Sequence, residues 1–376
     1  MRFSFTEEQE EFRVFLRRFL EDKSPTTEVR RLMETDEGYD EAVWKQLSTE
    51  LGLPAVHVPE EYGGQGFSIA ELAIVVEEMG RALLCAPYFS SSVLATTTIL
   101  EAGTEEQKRT LLPPLAAGEI RATLAFTEDN GLWDERGVEA IATPSGEVFK
   151  IDGTKSFVLD GHTADSIVVL ARQPETSGDG GLSFYTVRSD ADGLTRTLLK
   201  TTDPTRKQAR LEFKGVHAEL LGTEGTAAGP LAKVLDIAAI CLANEMVGGA
   251  EKLRESALEY SLMRVQFGRQ IGSFQTMKHK SADMLLEVEL AKSAAYYAAA
   301  AAAEDDKETP ALACLAKAGA SQAYMQTAIS TVQIHGGIGF TWDNDTHLWF
   351  KRAKSSEVFL GDPAYHRELL MQRWNV

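Results

Sequence analysis

The sequence predicts an α+β fold in three parts: an N-terminal helical domain, a middle antiparallel β-barrel or sandwich, and a C-terminal four-helix bundle. Two observations lead to this prediction. Apolar residues recur at helical spacing up to about residue 120 and again from about Gly229, whereas short strand-like runs separated by turn signals lie between them. We therefore place the domains at residues 1–120, 121–228 and 229–376.

Composition limits the classes of function. The 376 residues include 38 Lys plus Arg and 56 Asp plus Glu, which gives a net charge of −18. A chain this acidic is a poor partner for nucleic acid or an anionic membrane, so a polyanionic ligand must meet local basic clusters. No apolar run reaches membrane-spanning length and residues 1–5 lack a secretory pattern, which predicts a cytoplasmic protein. Three cysteines without metal-ligand spacing suit a reducing compartment and predict no metal site.

Helix-start signals divide the N-terminal part of the chain. Thr6 with Gln9, and Thr104 with Gln107, show the spacing in which a Thr side chain and a Gln three residues later satisfy each other's backbone N–H groups. Apolar residues then recur at helical spacing, which predicts helices that bury one face. The predicted helices start near Thr6, Asp40, Ser68, Ser90 and Thr104.

The pattern changes at Arg121, where residues begin to alternate in the manner of a strand. Pro144-Ser145-Gly146 is a turn signal, and it predicts a hairpin between the runs on either side. No helical pattern interrupts the short strands, which favours a barrel or a sandwich. The predicted strands begin at Arg121 and cover residues 138–143, 148–152, 157–159, 167–170, 184–187 and 210–213.

Two long helical patterns in the C-terminal part meet at a tight corner, Tyr260–Gln275. Gly268 and Gly272 interrupt the helical pattern there, because Gly weakens a helix interior and permits positive φ. A cationic, aromatic and amide cluster at helix ends suits an anionic, planar ligand, although an ordinary helical hairpin with solvent-facing Arg residues is the alternative. The corner contains Arg264, Phe267, Arg269, Phe274 and Gln275.

Four motifs, which follow one another along nearly the whole chain, indicate a family. They are Pro59-Glu60-Glu61-Tyr62-Gly63-Gly64, Arg264-Val-Gln-Phe267-Gly268, Ile271-Gly272-Ser-Phe274-Gln275 and Gln333-Ile-His335-Gly336-Gly337-Ile-Gly339-Phe340. Through them the chain resembles the acyl-CoA dehydrogenases, which are flavoproteins with an N-terminal helical domain, a middle β-barrel and a C-terminal helical bundle. Each motif alone is a weak signal, but their order on the expected elements makes the resemblance strong.

The resemblance implies an FAD site that is shared between subunits. An Arg supplies a fixed positive fork for the diphosphate, and paired Gly residues allow the backbone to approach closely. The resemblance implies one group of residues that bind the diphosphate and adenosine of a neighbouring subunit's flavin or form the corner around them. This group is Arg264, Phe267, Ile271, Phe274, Gln275, Gln333, Gly336 and Gly337. The residues implied to lie along the isoalloxazine ring are Phe126, Thr127, Phe157 and Leu159.

Two positions on the ring side need comment. For Phe157, packing in the core remains an alternative to stacking on the flavin. Leu159 stands where the family often has a Thr whose hydroxyl faces the flavin. The family's usual Gly-x-Ser-Asp is replaced by Gly131-Leu132-Trp133-Asp134. The resemblance therefore implies a flavin environment that departs from the usual one on this side.

The catalytic base is the clearest departure. The family removes the α-proton of the substrate with a Glu while a hydride leaves the β-carbon for the flavin. The matching C-terminal position is Leu360, and the alternative position aligns, within a residue or two, with Ala238, while the Arg usually next to it aligns with Ala239. Neither place has a carboxylate, so no catalytic base is assigned. We expect Glu245 to be structurally paired, since it lies in an apolar run, with a base role as the less favoured alternative. We expect Asp362 to cap the last helix.

Three functions remain open from the sequence. The first is an FAD-dependent acyl-CoA dehydrogenase that desaturates a CoA thioester with an unconventional base. The second is a base-lacking subunit that completes the FAD site of a heteromeric enzyme. Some bacterial members of the family, which act on steroid-derived thioesters, resemble this arrangement. The third is a non-redox binding or scaffold protein. The resemblance implies a homo- or hetero-oligomer, a dimer of dimers, with electron-transfer flavoprotein as acceptor, and we expect no nucleic-acid or membrane partner.

Overall fold

The computed structural model describes residues 5–146 and 148–376, so the predicted lack of a secretory pattern at residues 1–5 falls mostly outside it. The described chain divides into two units. The helical unit contains residues 5–31, 69–84 and 239–376. The barrel unit contains residues 32–68 and 85–238. Within the described residues, we find no helix whose length and apolar character would allow it to cross a membrane.

Helices account for the first and last parts of the chain, as predicted. The capping boxes at Thr6 and Thr104 are present with both hydrogen bonds, and Asp40 and Asp362 accept from backbone N–H groups at their helix starts. The α-helices are α1 Glu7–Lys23, α2 Thr26–Met33, α3 Glu41–Lys45, α4 Ile69–Ala82, α5 Thr96–Ala102, α6 Glu105–Ala116, α7 Ala228–Met263, α8 Gln275–Ala303, α9 Thr309–His335, α10 Thr346–Val358 and α11 Pro363–Arg373. The helix predicted from Ser90 begins instead as a π-helical segment, Phe89–Ala95, that leads into α5.

The middle of the chain forms a closed barrel. Its strands are β1 Ala122–Ala125, β2 Ile141–Ser145, β3 Val148–Leu159, β4 Ser166–Arg172, β5 Leu182–Arg188, β6 Leu194–Leu198 and β7 Gln208–Leu221. Strands β4, β2, β3, β7 and β5 follow one another around the ring, and β5 pairs again with β4. Closure leaves no free edge among these five strands and encloses one apolar core.

The barrel confirms the predicted architecture and adds three features. The runs predicted at 148–152 and 157–159 are one strand, β3, whose pairing with β7 shifts register twice. Strand β6 was not predicted, and it pairs with residues 209–213 in the first half of β7. Strand β1 is parallel to β4, with Ala122 opposite Ser166, whereas the sequence predicted an antiparallel domain. A strand's direction depends on its long-range partner, which local residue patterns do not reveal.

Helices α4 and α7 cross in the helical unit without space for side chains. A Cβ added to Gly248 would overlap the carbonyl oxygen of Glu77, and one added to Gly80 would overlap that of Glu245. Both overlapping atoms belong to the backbone, so they cannot move away as the end of a flexible side chain could. This close approach places Glu245 firmly beside α4.

We predict that Gly248→Ala destabilises the protein by about 1–3 kcal/mol, because the methyl group forces the two helices apart. Gly319→Ala is the matched control. It is also a helical Gly, in α9, but its added Cβ would meet nothing within 4 Å. The control should be neutral or more stable by about 0.5–1 kcal/mol, the usual advantage of Ala over Gly in a helix. Chemical denaturation measures both, and equal effects would contradict the described crossing.

Candidate functional site

The predicted corner contains a miniature hairpin. Strands β8, Val265–Gln266, and β9, Arg269–Gln270, pair antiparallel, and only Phe267 and Gly268 connect them. Both connecting residues have positive φ, +55° and +75°, which is the pattern of a type I′ turn. Gly adopts this conformation freely, whereas Phe is strained in it. Phe267 is also 92% exposed, so the turn holds an aromatic ring in solvent at a cost in free energy.

The cationic side chains of the corner differ in their surroundings. The Arg269 guanidinium lies 4.0 Å from the centroid of the Phe274 ring, and Phe274 meets Phe267 edge to face. The backbone of Arg264 is fixed, since its N–H donates to the Tyr260 carbonyl and its own carbonyl accepts from Ile271. Its side chain is exposed, and among the described residues its guanidinium has neither an ion-pair nor a hydrogen-bond partner. Arg264 is therefore available to an anion.

The end of α9 belongs to the same cluster. The imidazole of His335 stacks on the Tyr260 ring with centroids 4.3 Å apart, and this contact joins α9 to the turn of α7 that precedes Arg264. Lys280 Nζ donates to Gln333 Oε1 at 2.7 Å. Immediately after His335, Cβ atoms added to Gly336 and Gly337 would meet nothing within 4 Å, so the backbone there is open to a ligand.

We define the corner cluster as the set of predicted residues that this packing brings together. It presents a free guanidinium, aromatic rings and open backbone, with Lys280 beside it on Gln333, and this combination fits a diphosphate attached to a planar group. Ile271 is partly buried against Ala257, Met284 and Ile334 and serves as the cluster's apolar support. The corner cluster consists of Arg264, Phe267, Ile271, Phe274, Gln275, Gln333, Gly336 and Gly337.

Large apolar side chains are exposed around the corner cluster. They lie at the end of α7, in the hairpin, on one side of α8 and in the segment that follows α9. Exposed apolar surface of this extent on a folded chain usually marks a contact with another molecule. The residues are Leu262, Met263, Val265, Phe267, Leu285, Leu286, Leu290, Ile338, Phe340 and Trp342.

The barrel unit contains the other predicted residues, Phe126, Thr127, Phe157 and Leu159, which we name the barrel cluster. Thr127 Oγ1 donates to the Ser156 carbonyl at 2.6 Å, and the Ser156 N–H donates to the Thr127 carbonyl at 2.9 Å. Phe157 has φ of +59° and is 41% exposed. Core packing therefore does not account for Phe157, whereas Phe126, Thr127 and Leu159 are buried.

The two positions at which a base was sought are apolar and buried. Leu360 has φ of +60° and lies in a loop that two side chains hold. Lys317 Nζ donates to the Gly361 carbonyl at 3.0 Å, and His366 Nε2 lies 2.8 Å from the Leu360 carbonyl. Burial lowers the pKa of His366 to about 4, so the ring is neutral near pH 7. Ala238 and Ala239 in α7 are buried as well.

The nearby carboxylates are engaged elsewhere. Arg352 Nη1 donates to Glu245 Oε1 at 3.0 Å, and the two side chains are only 5% and 8% exposed. The predicted structural pairing of Glu245 is thus confirmed. Asp362 accepts from the Tyr365 N–H as the predicted N-cap, and Glu357 pairs with Lys354. Each of these three carboxylates therefore already has a partner within the described part of the chain.

One buried pair was missed by the sequence reasoning. Lys155 Nζ lies 2.7 Å from Glu128 Oε1, and Lys155 is fully buried. A signal was present, because the two-residue period of a strand puts Lys155 on the same face as the core residue Ile151. A charged residue on an inward face indicates a specific partner, which the sequence alone does not name.

Comparison with protein families gives one consistent result. The family model for the acyl-CoA dehydrogenase N-terminal domain matches residues 6–119, the middle-domain model matches 123–216, and the C-terminal model matches 231–374. Among curated proteins, the chain is 35% identical to the acyl-CoA dehydrogenase IpdE2 of Mycobacterium tuberculosis over 342 residues. This alignment covers 91% of the chain and 88% of the relative.

Solved structures of the same family superpose on this chain. Butyryl-CoA dehydrogenase from Megasphaera elsdenii superposes with a TM-score of 0.93 at 28% identity, and each chain is fully covered. A steroid acyl-CoA dehydrogenase named for two components, Tcur3481-Tcur3483, superposes with a TM-score of 0.87 at 29% identity, with 98% of each chain covered. These similarities extend over nearly the whole length of the chain.

Proposed function

The chain belongs to the acyl-CoA dehydrogenase family, and from this premise we propose that it is the base-lacking, FAD-binding subunit of a heteromeric acyl-CoA dehydrogenase. The enzyme would desaturate a CoA thioester between the α and β carbons, with the carboxylate base supplied by a different kind of subunit. One observation carries the proposal. Both base positions are buried and apolar, while the corner cluster keeps its donors and its open backbone.

FAD is the cofactor that the family implies, and the residues of the chain fit it. Arg264, with no partner of its own among the described residues, would bind the diphosphate of a neighbouring subunit's flavin. Gln333 and the open turn at Gly336 and Gly337 would contact the rest of the diphosphate and adenosine moiety. The barrel cluster would lie along an isoalloxazine ring, where exposed Phe157 offers a stacking surface. When bound, FAD supplies the hydride acceptor for the β-carbon.

Glu245 is a poor candidate for the missing base. Its carboxylate is buried and accepts a hydrogen bond from Arg352 Nη1 at 3.0 Å. A general base must instead present a free oxygen within hydrogen-bond reach of the proton it removes. The pair therefore supports a structural role, and it strengthens the case for a base from outside the chain.

Assembly is part of the proposal. The exposed apolar residues around the corner cluster support contact with a neighbouring subunit, and the family resemblance implies a dimer of dimers. The similarity to a steroid acyl-CoA dehydrogenase named for two components supports a heteromer, and it suggests a bulky, steroid-like acyl group. Electron-transfer flavoprotein is the acceptor that the family resemblance implies.

The experiment compares the chain purified alone with the chain co-purified with a family member that carries the Glu. We expect the complex to be yellow and its flavin to bleach when the acyl-CoA is added, whereas the chain alone does not bleach its flavin. Dithionite is the control, since it should reduce the flavin in every yellow sample. Bleaching by the chain alone would contradict the base-lacking assignment, and a complex without flavin would contradict the FAD assignment.

Phe267 offers a test that separates folding from cofactor binding. We expect Phe267→Asn to be more stable than the wild type by about 1 kcal/mol, because Asn tolerates the left-handed conformation that strains Phe. The same variant should retain less FAD, since it lacks the exposed ring. Thermal unfolding and flavin content measure the two effects. Phe15→Asn, which removes an exposed Phe from α1, is the control and should leave flavin content unchanged.

A further inference from the structure

We propose that Lys155 and Glu128 form a positioning pair that fixes the two backbone segments presented to the flavin ring. The inference rests on the proposed function, because it concerns the barrel cluster as a ring-binding surface. The juxtaposition that carries it is the buried contact between the residue just after Thr127 and the residue just before Ser156. Neither side chain is itself proposed to touch the flavin.

The segment Phe126–Glu128 has no strand partner. Strand β1 ends at Ala125, and β1 pairs only with β4. The polar backbone groups of the following residues must find other partners when they are buried. Lys155 Nζ donates to the Phe126 carbonyl at 3.3 Å, while Thr127 Oγ1 donates to the Ser156 carbonyl and the Ser156 N–H donates to the Thr127 carbonyl. Side chains and backbone of β3 therefore take the place of a sheet neighbour.

The partner segment of β3 is itself irregular. Its pairing with β7 shifts register between Lys155 and Val158, so Ser156 and Phe157 lie in a bulge. The bulge, together with the positive φ of Phe157, turns this ring outward. A bulge leaves backbone groups unpaired, and Ser156 bonds Thr127 instead of β7. Each segment thus depends on the other for its conformation.

Glu128 extends the connection to a third segment. Its Oε1 atom accepts from Lys155 Nζ at 2.7 Å and from the N–H groups of Glu139 and Ala140, both at 2.9 Å. Burial lowers the pKa of Lys155, and the neighbouring carboxylate opposes that shift. Two charges removed from water need good geometry and full hydrogen bonding to be tolerated. The pair meets this requirement. Because its hydrogen bonds connect the two segments, it also fixes the positions of Phe126, Thr127 and Phe157.

The test uses Lys155→Met/Glu128→Gln, which removes both charges and leaves no unpaired ion. Ile151→Ala is the matched control, because it creates a cavity four residues earlier in the same strand and destabilises the barrel without touching the pair. Both variants are made in the flavin-loaded assembly. The measurements are the dissociation constant of FAD, the visible circular dichroism of bound flavin, and the unfolding temperature. If the double variant does not fold, Lys155→Arg provides the same measurements, since it keeps a positive charge beside Glu128 but places it differently from the Lys155 ammonium.

The positioning role predicts that the double variant binds FAD about tenfold more weakly, or worse, and changes the circular dichroism of any bound flavin. The Ile151→Ala control should unfold at a lower temperature but bind FAD as the wild type does. A double variant with unchanged FAD affinity and spectrum would overturn the inference and leave the proposed function intact. A wild-type assembly that binds no FAD would overturn both, so the two failures are distinguishable.

Discussion

Leu360→Glu is expected to give this chain dehydrogenase activity of its own. Leu360 stands where the family resemblance puts the base, and its backbone already adopts the positive φ of +60° that the loop requires. The loop is held by Lys317 and His366 through carbonyl oxygens, so the side chain can change without loss of these contacts. A carboxylate at this place would take the α-proton of the thioester.

The matched control is Leu360→Gln, which has nearly the same shape but cannot act as a base. We expect Glu to bleach the flavin about 10²–10⁴ times faster than Gln when acyl-CoA is added, the usual contribution of a general base. The site is apolar and buried, so the new carboxyl should have a raised pKa. Because only the ionised form removes a proton, the rate should increase with pH until the carboxyl is ionised. Equal rates for Glu and Gln, with flavin bound, would show that residue 360 does not face the substrate.

Arg352→Met is expected to have the largest effect on stability. It leaves the Glu245 carboxylate buried without its guanidinium partner, which typically costs about 3–5 kcal/mol. Urea unfolding measures the loss. The double variant Arg352→Met/Glu245→Gln should recover most of the stability, because it also removes the buried negative charge that the single substitution leaves without its guanidinium.

The same pair distinguishes a structural role from catalysis. Glu245→Gln in the assembled enzyme should change stability but leave the rate of flavin bleaching within about twofold, since the base is proposed to come from another subunit. A rate that falls by about 10²-fold or more without a loss of stability would instead identify Glu245 as the base.

Local signals in the sequence predicted much of the fold. The capping boxes at Thr6 and Thr104 depend on residues three positions apart, so they can be read directly and are confirmed. Short strands and turns predicted a barrel or a sandwich, and the structure shows the closed barrel. The parallel pairing of β1 with β4 was not predicted, because Ala122 meets Ser166 across 44 positions of sequence and no local pattern encodes that choice.

The sequence identified the residues of the candidate site that lie in continuous motifs, but not the contacts between residues that are far apart in the chain. The absence of a carboxylate at residue 360 is visible in the sequence, whereas Arg352 as the partner of Glu245, 107 positions away, is not. The backbone strain at Phe267 and Phe157 was not predicted either, since no local sequence pattern indicates a positive φ at these two residues. Lys155 gave a partial signal, a charge on a buried face, but Glu128 became its partner only through the folded barrel.

The most direct test of the account is the FAD content of the assembled protein carrying Arg264→Met in this chain. The Arg264 guanidinium has no partner among the described residues, and Met keeps the backbone hydrogen bonds, so the substitution should leave folding unchanged. We predict that the assembly forms and unfolds like the wild type but loses most of the FAD that this subunit helps to bind. Arg188→Met, at an exposed Arg of the barrel unit, is the control and should keep its flavin. A fully flavin-loaded Arg264→Met assembly with wild-type affinity for FAD would contradict the account.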